Sequence, residues 1–316
     1  MKQISTNSSS LKRGATLIAV FWIIAVLGLA IVASLRVVSY QIDVVDAQSS
    51  GIEARQQAEK GIAIAANPTV NPWEQQLLRQ QFEDGTGYEA KIESEGKAFN
   101  INYILLGQDK ALMRVIFDYW GIESEDAAAV SDALVDWVDA GDGEETNGAE
   151  IDYYENEGFL NRPFNRPFYD LDEMRLVRGM EIVEAARPDW RKWFTLWSEG
   201  PLDINYASPE FIAVAAEEDI EDAISVVQQI DGADGIRDTE DDTPFQNTGE
   251  ALSLMGVPED EFQRIGARFT AGNIQSGVTR IESIGFSGDV RRKIVLVIRN
   301  RSGNPVILDR REEQVQ

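Results

Sequence analysis

The chain has 316 residues, with 54 acidic against 29 basic side chains, a formal net charge of −25, and neither cysteine nor histidine. These two absences exclude disulfides, iron–sulfur clusters, zinc fingers and any Cys or His nucleophile, base or metal ligand within the chain. The negative charge disfavours nucleic acid and anionic membrane surfaces, since phosphate contacts need Lys and Arg. It suits a soluble extracytoplasmic body, basic partners or hard cations held by carboxylates. At roughly 150 residues per domain, the length predicts about two domains.

The N-terminal part contains a long uncharged run. Residues 15–35 carry no charge, and Lys2, Lys12 and Arg13 are the only charges before them. As a helix this run would span about 31 Å, the thickness of a bilayer's hydrocarbon core. A cleaved signal peptide has a shorter apolar region, about 7–15 residues, followed by a small residue, whereas here Gly14 precedes the run. We therefore predict a single-pass membrane helix with a cytoplasmic N-terminus. If the cell is Gram-negative, the helix lies in the inner membrane and the remainder of the chain in the periplasm.

The helical pattern continues beyond the predicted membrane. Apolar residues recur at helical spacings from Val37 to Ile62 between charged side chains, and Asn67-Pro68 ends the pattern. The sequence therefore predicts one helix over residues 15–66, about 78 Å long. Half of this rod would lie in lipid and half would carry a globular head.

The rest of the chain alternates between strand and helix patterns. Strands are predicted over residues 88–92, 98–104, 278–284, 293–298 and 305–308, and helices over 111–120, 125–138, 170–179, 209–217, 221–230, 249–255 and 258–269. Strands, then helices, then strands indicate an α+β fold in which a helical domain interrupts a smaller head. We assign residues 67–107 and 273–316 to the head and residues 108–272 to the inserted α-helical domain.

One short segment concentrates negative charge. Between residues 136 and 152 there are three glycines, no Lys or Arg, and the carboxylates Asp136, Asp139, Asp142, Glu144, Glu145, Glu150 and Asp152. Like charges this close repel unless a cation neutralises them, and Ca²⁺ takes about six to eight oxygen ligands. The composition therefore favours a calcium site, with a solvated acidic loop as the alternative. The spacing does not fit the EF-hand loop.

A second acidic loop covers residues 231–242. Asp238, Glu240 and Asp242 have the i, i+2, i+4 spacing of the first ligands in a calcium loop, but Gly249 stands where the bidentate Glu belongs. A metal site and a solvated loop stay equally open here.

Three other patterns in the sequence each have a functional and a structural interpretation, and we favour the structural one. Paired carboxylates serve acid–base enzymes only when an apolar pocket keeps one of them neutral, and these lie in polar loops, so we predict no enzyme. Residues 172–179 and 204–216 faintly resemble helix-hairpin-helix elements, which we interpret as scaffolding without nucleic acid contact. Trp190, Trp193 and Trp197 follow helical spacing and are expected in the core of the inserted domain, with a partner-facing surface as the alternative.

A family resemblance begins at the N-terminus. Lys12-Arg13-Gly14 followed by Ala15-Thr16-Leu17-Ile18-Ala19 resembles a type IV prepilin leader. The resemblance implies a leader over residues 1–14, cleavage after Gly14 by a prepilin peptidase, and methylation of Ala15 as the new first residue. The family usually has Glu at the position of Ala19, where it is thought to pair with the N-terminal amine of the subunit above. Its loss is a feature of the minor pseudopilin K of type II secretion systems.

Four further segments resemble blocks of that family in the same order. They are Asp136-Trp137-Val138-Asp139 with Gly148-Ala149-Glu150 and Tyr153-Tyr154; Arg166-Pro167-Phe168 with Leu171–Met174 and Val177–Gly179; Leu202–Ser208, with Asp203 in the first Asn position; and Arg291–Val295. The resemblance implies a pilin-like α/β head that carries a large helical insertion behind the transmembrane helix. Members bind calcium in the helical domain, which strengthens the metal interpretation. We expect Asp139, Asp142 and Glu150 as ligands, with Asp136 or Asp152 in support.

The function that the resemblance implies is assembly of a secretion fibre. A minor pseudopilin of this kind caps or initiates the pseudopilus tip with the I- and J-type minor pseudopilins, and it supports export of folded proteins across the outer membrane. Two alternatives remain open from the sequence: a membrane-anchored periplasmic calcium-dependent binding protein, and a minor pilin of a type IV pilus.

Overall fold

The computed structural model describes residues 9–107, 109–141, 143–272 and 277–315; residues 1–8 of the predicted leader and the predicted ligand Asp142 lie outside the described residues. The first element, helix α1, runs from Ser9 to Ala65. Its apolar side chains from Leu17 to Leu35 are exposed, and the helix is long and apolar enough to cross a membrane by length and composition. The predicted long apolar helix is confirmed, with slightly different ends.

The C-terminal half of α1 packs on an antiparallel sheet of strand order β1-β2-β7-β8-β9. These strands are β1 Arg79–Gln81, β2 Thr86–Ser94, β7 Val278–Ser287, β8 Val290–Arg299 and β9 Val306–Val315, and the short helix α2, Gln75–Leu78, precedes β1. Glycine permits the close approach between helix and sheet. A Cβ on Gly285 of β7 would overlap the backbone of Ala54 and Ala58, and a Cβ on Gly61 would overlap Ser283.

The chain between β2 and β7 is mainly helical. Its helices are α3 Ile101–Leu106, α4 Lys110–Tyr119, α5 Ser124–Val138, α6 Ile151–Asn156, α7 Met180–Ala186, α8 Pro209–Ala216, α9 Ile220–Ile230, α10 Thr248–Met255 and α11 Phe262–Gly266. Short parallel pairs join β3 Phe99–Asn100 to β4 Phe194–Thr195, and β5 Leu202–Asp203 to β6 Phe269–Thr270. The fold is therefore α+β, with helices between two strands that pair directly in the sheet.

The described residues contain two clusters of buried apolar side chains. The smaller joins α1 to the sheet through residues such as Ile62, Tyr88 and Ile281. The larger spans Phe99 to Phe269 and belongs to the helical part. The division into a head and an inserted domain stays a prediction, and these two clusters support it. The larger cluster already includes Ile101 and Leu105, which lie before the boundary at residue 108.

Three predicted elements differ from the structure. The strand over residues 98–104 is wrong, because Asn100 ends β3 and its Oδ1 accepts the backbone N–H of Tyr103, which starts α3. The helix over residues 170–179 is wrong, because a 3₁₀ helix at Leu171–Leu176 is followed by Gly179 in the left-handed region at φ 82°. The helix over residues 258–269 is divided into a 3₁₀ turn, α11 and β6.

Candidate functional site

The first acidic segment is organised by two buried carboxylates on α5. Asp132 and Asp136 lie one helical turn apart, 2% and 0% exposed. The chain leaving α5 folds back over them. The backbone N–H of Glu145 donates to Asp136 Oδ1 at 3.1 Å, that of Ala149 to Asp136 Oδ2 at 2.7 Å, and that of Asn147 to Asp132 Oδ2 at 3.2 Å. The loop over residues 139–149, here called the first loop, is therefore held at three backbone positions by side chains of the helix.

Cations from other parts of the chain reach the first loop. Arg114 Nη2 and Lys110 Nζ of α4 lie 3.3 and 3.7 Å from Asp132 Oδ1, and Lys110 Nζ lies 2.7 Å from Glu145 Oε2. Arg178 Nη1 donates to the carbonyl of Gly148 at 2.8 Å. Part of the negative charge is thus neutralised by side chains that are distant in sequence, although the segment itself contains no Lys or Arg.

Asp136 is a buried acid with a raised pKa. Its pKa is raised to about 6, first by burial and then by the charges of Asp139 and Glu145, although the backbone hydrogen bonds from Glu145 and Ala149 act to lower the pKa. A Cβ on Gly148 would overlap Asp136 Oδ2. Glycine is therefore required at this position for the first loop to close over the carboxylate.

The other predicted ligands of the first loop are spread out. Asp139 is half-buried at the end of α5, where its Oδ1 accepts the backbone N–H of Gly141 at 3.1 Å. Glu150 is 6% exposed and precedes α6, whereas Asp152 is exposed in the first turn of α6. Among the residues that the structure describes, which leave out Asp142, no group of three or more carboxylates converges as at a metal site. The calcium ligands stay a prediction.

The second loop, residues 231–242, is held mainly by hydrogen bonds between its own side chains and its own backbone. Asp241 Oδ2 accepts the backbone N–H groups of Ala233 and Asp234 at 2.8 and 3.1 Å. Asp242 Oδ2 accepts the backbone N–H of Asp238 at 2.9 Å, and Asp238 has a positive φ of 64°. The carboxylate that holds most of the loop is therefore Asp241, which the i, i+2, i+4 pattern passed over.

The predicted ligands of the second loop border a cavity. Asp238, Glu240 and Asp242 line a space of about 600 Å³, which Trp73 and Tyr206 border from other parts of the chain. Burial raises the pKa of Asp238 to about 6, while the charge of Lys91 on β2 lowers it. The second loop therefore lies beside the sheet, and its carboxylates face a space that is shared with the segment before α2.

The tryptophan cluster belongs to the core. Trp190 and Trp193 lie on a 3₁₀ helix, 0% and 1% exposed, and the ring of Trp193 meets that of Trp120 edge-on at 5.2 Å. This confirms the core interpretation for these two residues. The predicted helical spacing does not extend to Trp197, which follows β4 and is half-buried.

Comparison with known proteins finds a family model that matches the first part of the helical region. Residues 97–188 match the family model for type II secretion system (T2SS), protein K. Residues 97–188 are therefore similar to the protein K domain of type II secretion systems. The protein K domain begins just after β2 and includes α5 and the first loop, so the resemblance read from the sequence is confirmed. It covers less than a third of the chain.

Two further similarities agree with this assignment. Type II secretion system protein K of Pseudomonas aeruginosa is 28% identical over 182 residues, which are 54% of this chain and 52% of that protein, so the match spans about half the length of the relative. A chain in the crystal structure of the GspK-GspI-GspJ complex from the enterotoxigenic Escherichia coli type 2 secretion system aligns with a TM-score of 0.57. It is 14% identical, and the alignment covers 88% of this chain and 99% of that chain. This second likeness concerns the fold.

Proposed function

We propose that this chain is a minor pseudopilin of the type II protein secretion system, which caps or initiates the pseudopilus tip with other minor pseudopilins and supports export of folded proteins across the outer membrane. The observation that carries the proposal is the match of residues 97–188 to the protein K model. The long apolar α1 ahead of this domain agrees with it.

The geometry of α1 suits attachment inside a fibre. Its exposed apolar side chains can pack along neighbouring helices, and the sheet leaves that part of the helix uncovered. Ala19 is exposed at the position where pilins usually carry Glu. A carboxylate in a bilayer is costly without a partner, so a subunit with no neighbour above it has no need of one. The bulky helical part between β2 and β7 would hinder repeated stacking, which suits a terminal position.

The proposal includes processing and orientation. A prepilin peptidase would cut after Gly14, Ala15 would become the methylated N-terminus, and the sheet and helical part would lie in the periplasm. Gly14 and Ala15 both lie within α1. The intact mass of the protein purified from its host membrane measures this: loss of residues 1–14 supports the proposal, whereas an intact leader or a cut after residue 35 contradicts it.

The partners of the proposal are the I- and J-type minor pseudopilins. The aligned crystal structure is a complex of GspK with GspI and GspJ. Because that likeness concerns the fold, the same partners are proposed here and the contact surfaces are left to experiment. The family is a structural component of secretion, and the proposal assigns no reaction to this chain.

Calcium would serve a structural role in the proposal. Asp139, Glu150 and Asp152, with Asp142, would supply ligands at the first loop, and Asp238, Glu240 and Asp242 at the second. Carboxylate oxygens in glycine-containing loops are the donors that Ca²⁺ prefers. Each carboxylate oxygen of Asp136 accepts one backbone N–H at 3.1 Å or less. A carboxylate can accept about four hydrogen bonds, so Asp136 retains capacity for a cation. Thermal unfolding with calcium and with chelator tests both loops, and identical midpoints would reject the calcium role.

Deletion of the gene in its host tests the function as a whole. We expect loss of exported proteins from the medium, their accumulation in the periplasm, and recovery on return of the wild-type chain. Unchanged secretion together with lost surface pili would instead support the type IV pilus alternative. A defect that depends only on calcium, with an uncleaved leader, would support the calcium-dependent binding protein.

A further inference from the structure

The tetrapeptide Asn-Arg-Pro-Phe occurs twice in succession, at residues 161–164 and 165–168. Asn161 and Asn165 both lie in the left-handed region, with φ of 60° and 49°, which Asn tolerates better than most residues. Both copies therefore begin with an Asn in the left-handed region. The two copies nevertheless have different surroundings.

The second copy is fixed in the core. Phe168 is 2% exposed and lies parallel to Trp137, with ring centroids 6.4 Å apart. Its backbone exchanges two hydrogen bonds with the Asn102 side chain, at 2.8 and 2.9 Å. Arg166 Nη1 lies 3.1 Å from Glu173 Oε2. Packing and ion pairing thus account for the aromatic ring and the arginine of this copy.

The first copy faces outward. Phe164 is 39% exposed, with one side against Trp137. Arg162 stacks on the ring of Phe159 at 4.5 Å, and within the described part of the chain no carboxylate pairs with it. The charge of Arg162 is therefore open to a carboxylate from outside the described part of the chain.

Other large apolar side chains of the same segment are exposed. Arg162 stacks on Phe159, while Tyr169 lies under Arg166, whose guanidinium carbon is 4.0 Å from the ring centroid. Phe159, Leu160 and Tyr169 are 47%, 73% and 71% exposed, and no Asp or Glu occurs from residue 159 to residue 169. Exposed apolar side chains grouped in this way mark interaction sites. Aromatic residues and Arg are the types enriched at the centres of protein interfaces. We call this group the 159–169 surface.

We propose that the 159–169 surface docks a protein partner that presents a carboxylate beside an apolar depression. Arg162 would pair with the carboxylate, while Leu160 and Tyr169 would enter the depression. The second copy of the tetrapeptide holds the base of the surface in place through Phe168 and Arg166. A protein fits better than a lipid surface, because the excess of acidic side chains in the chain is repelled by anionic head groups and one arginine contributes only about 1 kcal/mol there. The proposal does not depend on the secretion function.

The test uses the full chain in detergent micelles and two labelled peptides of equal length, one alternating Leu with Glu and one alternating Leu with Lys. We expect fluorescence anisotropy to show binding of the Glu peptide only. Arg162→Glu should weaken it at least about tenfold, since it replaces an attraction by a repulsion. Leu160→Ser and Tyr169→Ser should each weaken it about threefold or more.

Lys192→Glu is the matched control, because Lys192 lies in the same helical part and its side chain is 79% exposed. It makes the same change of charge and should leave binding unaltered. Circular dichroism of each variant checks that the fold is intact. Three results would overturn the proposal: no binding of the Glu peptide, equal effects of Arg162→Glu and Lys192→Glu, or Arg162-dependent binding to phosphatidylglycerol vesicles in place of the peptide.

Discussion

The two acidic loops have similar compositions, but the carboxylates that hold them lie in different places. In the first loop, the anchors are Asp132 and Asp136, which belong to a buried helix and accept N–H groups from the loop. In the second loop, the anchor is Asp241, which is itself a loop residue. The first loop is therefore held by a buried helix. The second is held mostly by its own carboxylate, together with Arg237, which donates to the carbonyl of Asn205 outside the loop.

The largest expected effect comes from the anchor of the first loop. Asp136→Ala leaves the N–H groups of Glu145 and Ala149 without their acceptor in a buried place and also creates a cavity, so we expect a loss of about 2–4 kcal/mol in unfolding free energy. Asp241→Ala in the second loop should cost much less. Denaturant unfolding of the full chain in detergent, with chelator present, measures both. Equal losses of unfolding free energy in the two variants would show that the two loops do not differ in their coupling to the core.

The second largest effect on stability is expected at Gly148, which lies against Asp136. Gly148→Ala places a Cβ against Asp136 Oδ2, so the loop or the helix must shift, at about 1–3 kcal/mol. Gly143 is the matched control in the same loop, because a Cβ there meets nothing within 4 Å. The same denaturant experiment should separate the two variants by more than 1 kcal/mol, roughly the smallest cost of overpacking. A stable Gly148→Ala protein would show that the loop does not close tightly over the carboxylate.

An acid in the sheet provides a reference for the acids of the loops. Burial raises the pKa of Glu282, but hydrogen bonds from Lys293 and Arg280 outweigh this and lower the pKa to about 2. A lowered pKa in the folded state gives stability that is present above the ordinary value of 4.5 and is lost as the pH falls towards 2. Glu282→Gln should therefore reduce stability at pH 7 by about 1–2 kcal/mol and flatten its acid dependence.

The control for this pH experiment is Glu240→Gln, because Glu240 is exposed in the second loop. It should leave the curve between pH 5 and pH 2 close to that of the wild type. Parallel curves for Glu282→Gln and the wild type would show that the ion pairs of the sheet do not set the acid stability.

The smallest effect belongs to the second loop. Gly232 and Gly235 have positive φ values of 68° and 67°, and a Cβ on Gly232 would also overlap the backbone carbonyl of Asp241. Alanine at either site costs about 1–2 kcal/mol locally for the left-handed conformation, and only Gly232→Ala adds the overlap. Hydrogen exchange should therefore rise at Ala233 and Asp234 in Gly232→Ala more than in Gly235→Ala. Hydrogen exchange at distant core amides should stay unchanged in both variants. Faster exchange throughout the core would show that this loop is not independent of the core.

The sequence was informative wherever one physical requirement dominated. An uncharged run from Ala15 to Leu35 has few folded alternatives, so α1 was predictable, and the patterns of strands and helices gave the α+β class. The short blocks that resemble the protein K family are each weak evidence. Because they occur in the same order as in that family, together they predicted the similarity to protein K.

Other features depended on contacts between distant residues. The sequence analysis did not predict the role of Asp132, because a charged residue on a helix usually faces solvent. Its position among Val130, Leu134 and Val135, on a helix that is apolar on nearly every side, could have indicated that it is buried. The strand expected at residues 98–104 failed because Asn100 can cap a helix as readily as it alternates in a strand. Strand β9 extends through five consecutive charged residues at the edge of the sheet, where side-chain pattern is a weak guide.

Copurification tests the central claim most directly. The full chain, tagged at its C-terminus, would be expressed with the I- and J-type minor pseudopilins of the same bacterium and extracted in mild detergent. Membership of a pseudopilus tip predicts that all three elute together as one complex whose mass equals the sum of its subunits. If the tagged chain elutes alone while the I- and J-type proteins still associate with each other, the assignment as their tip partner is contradicted.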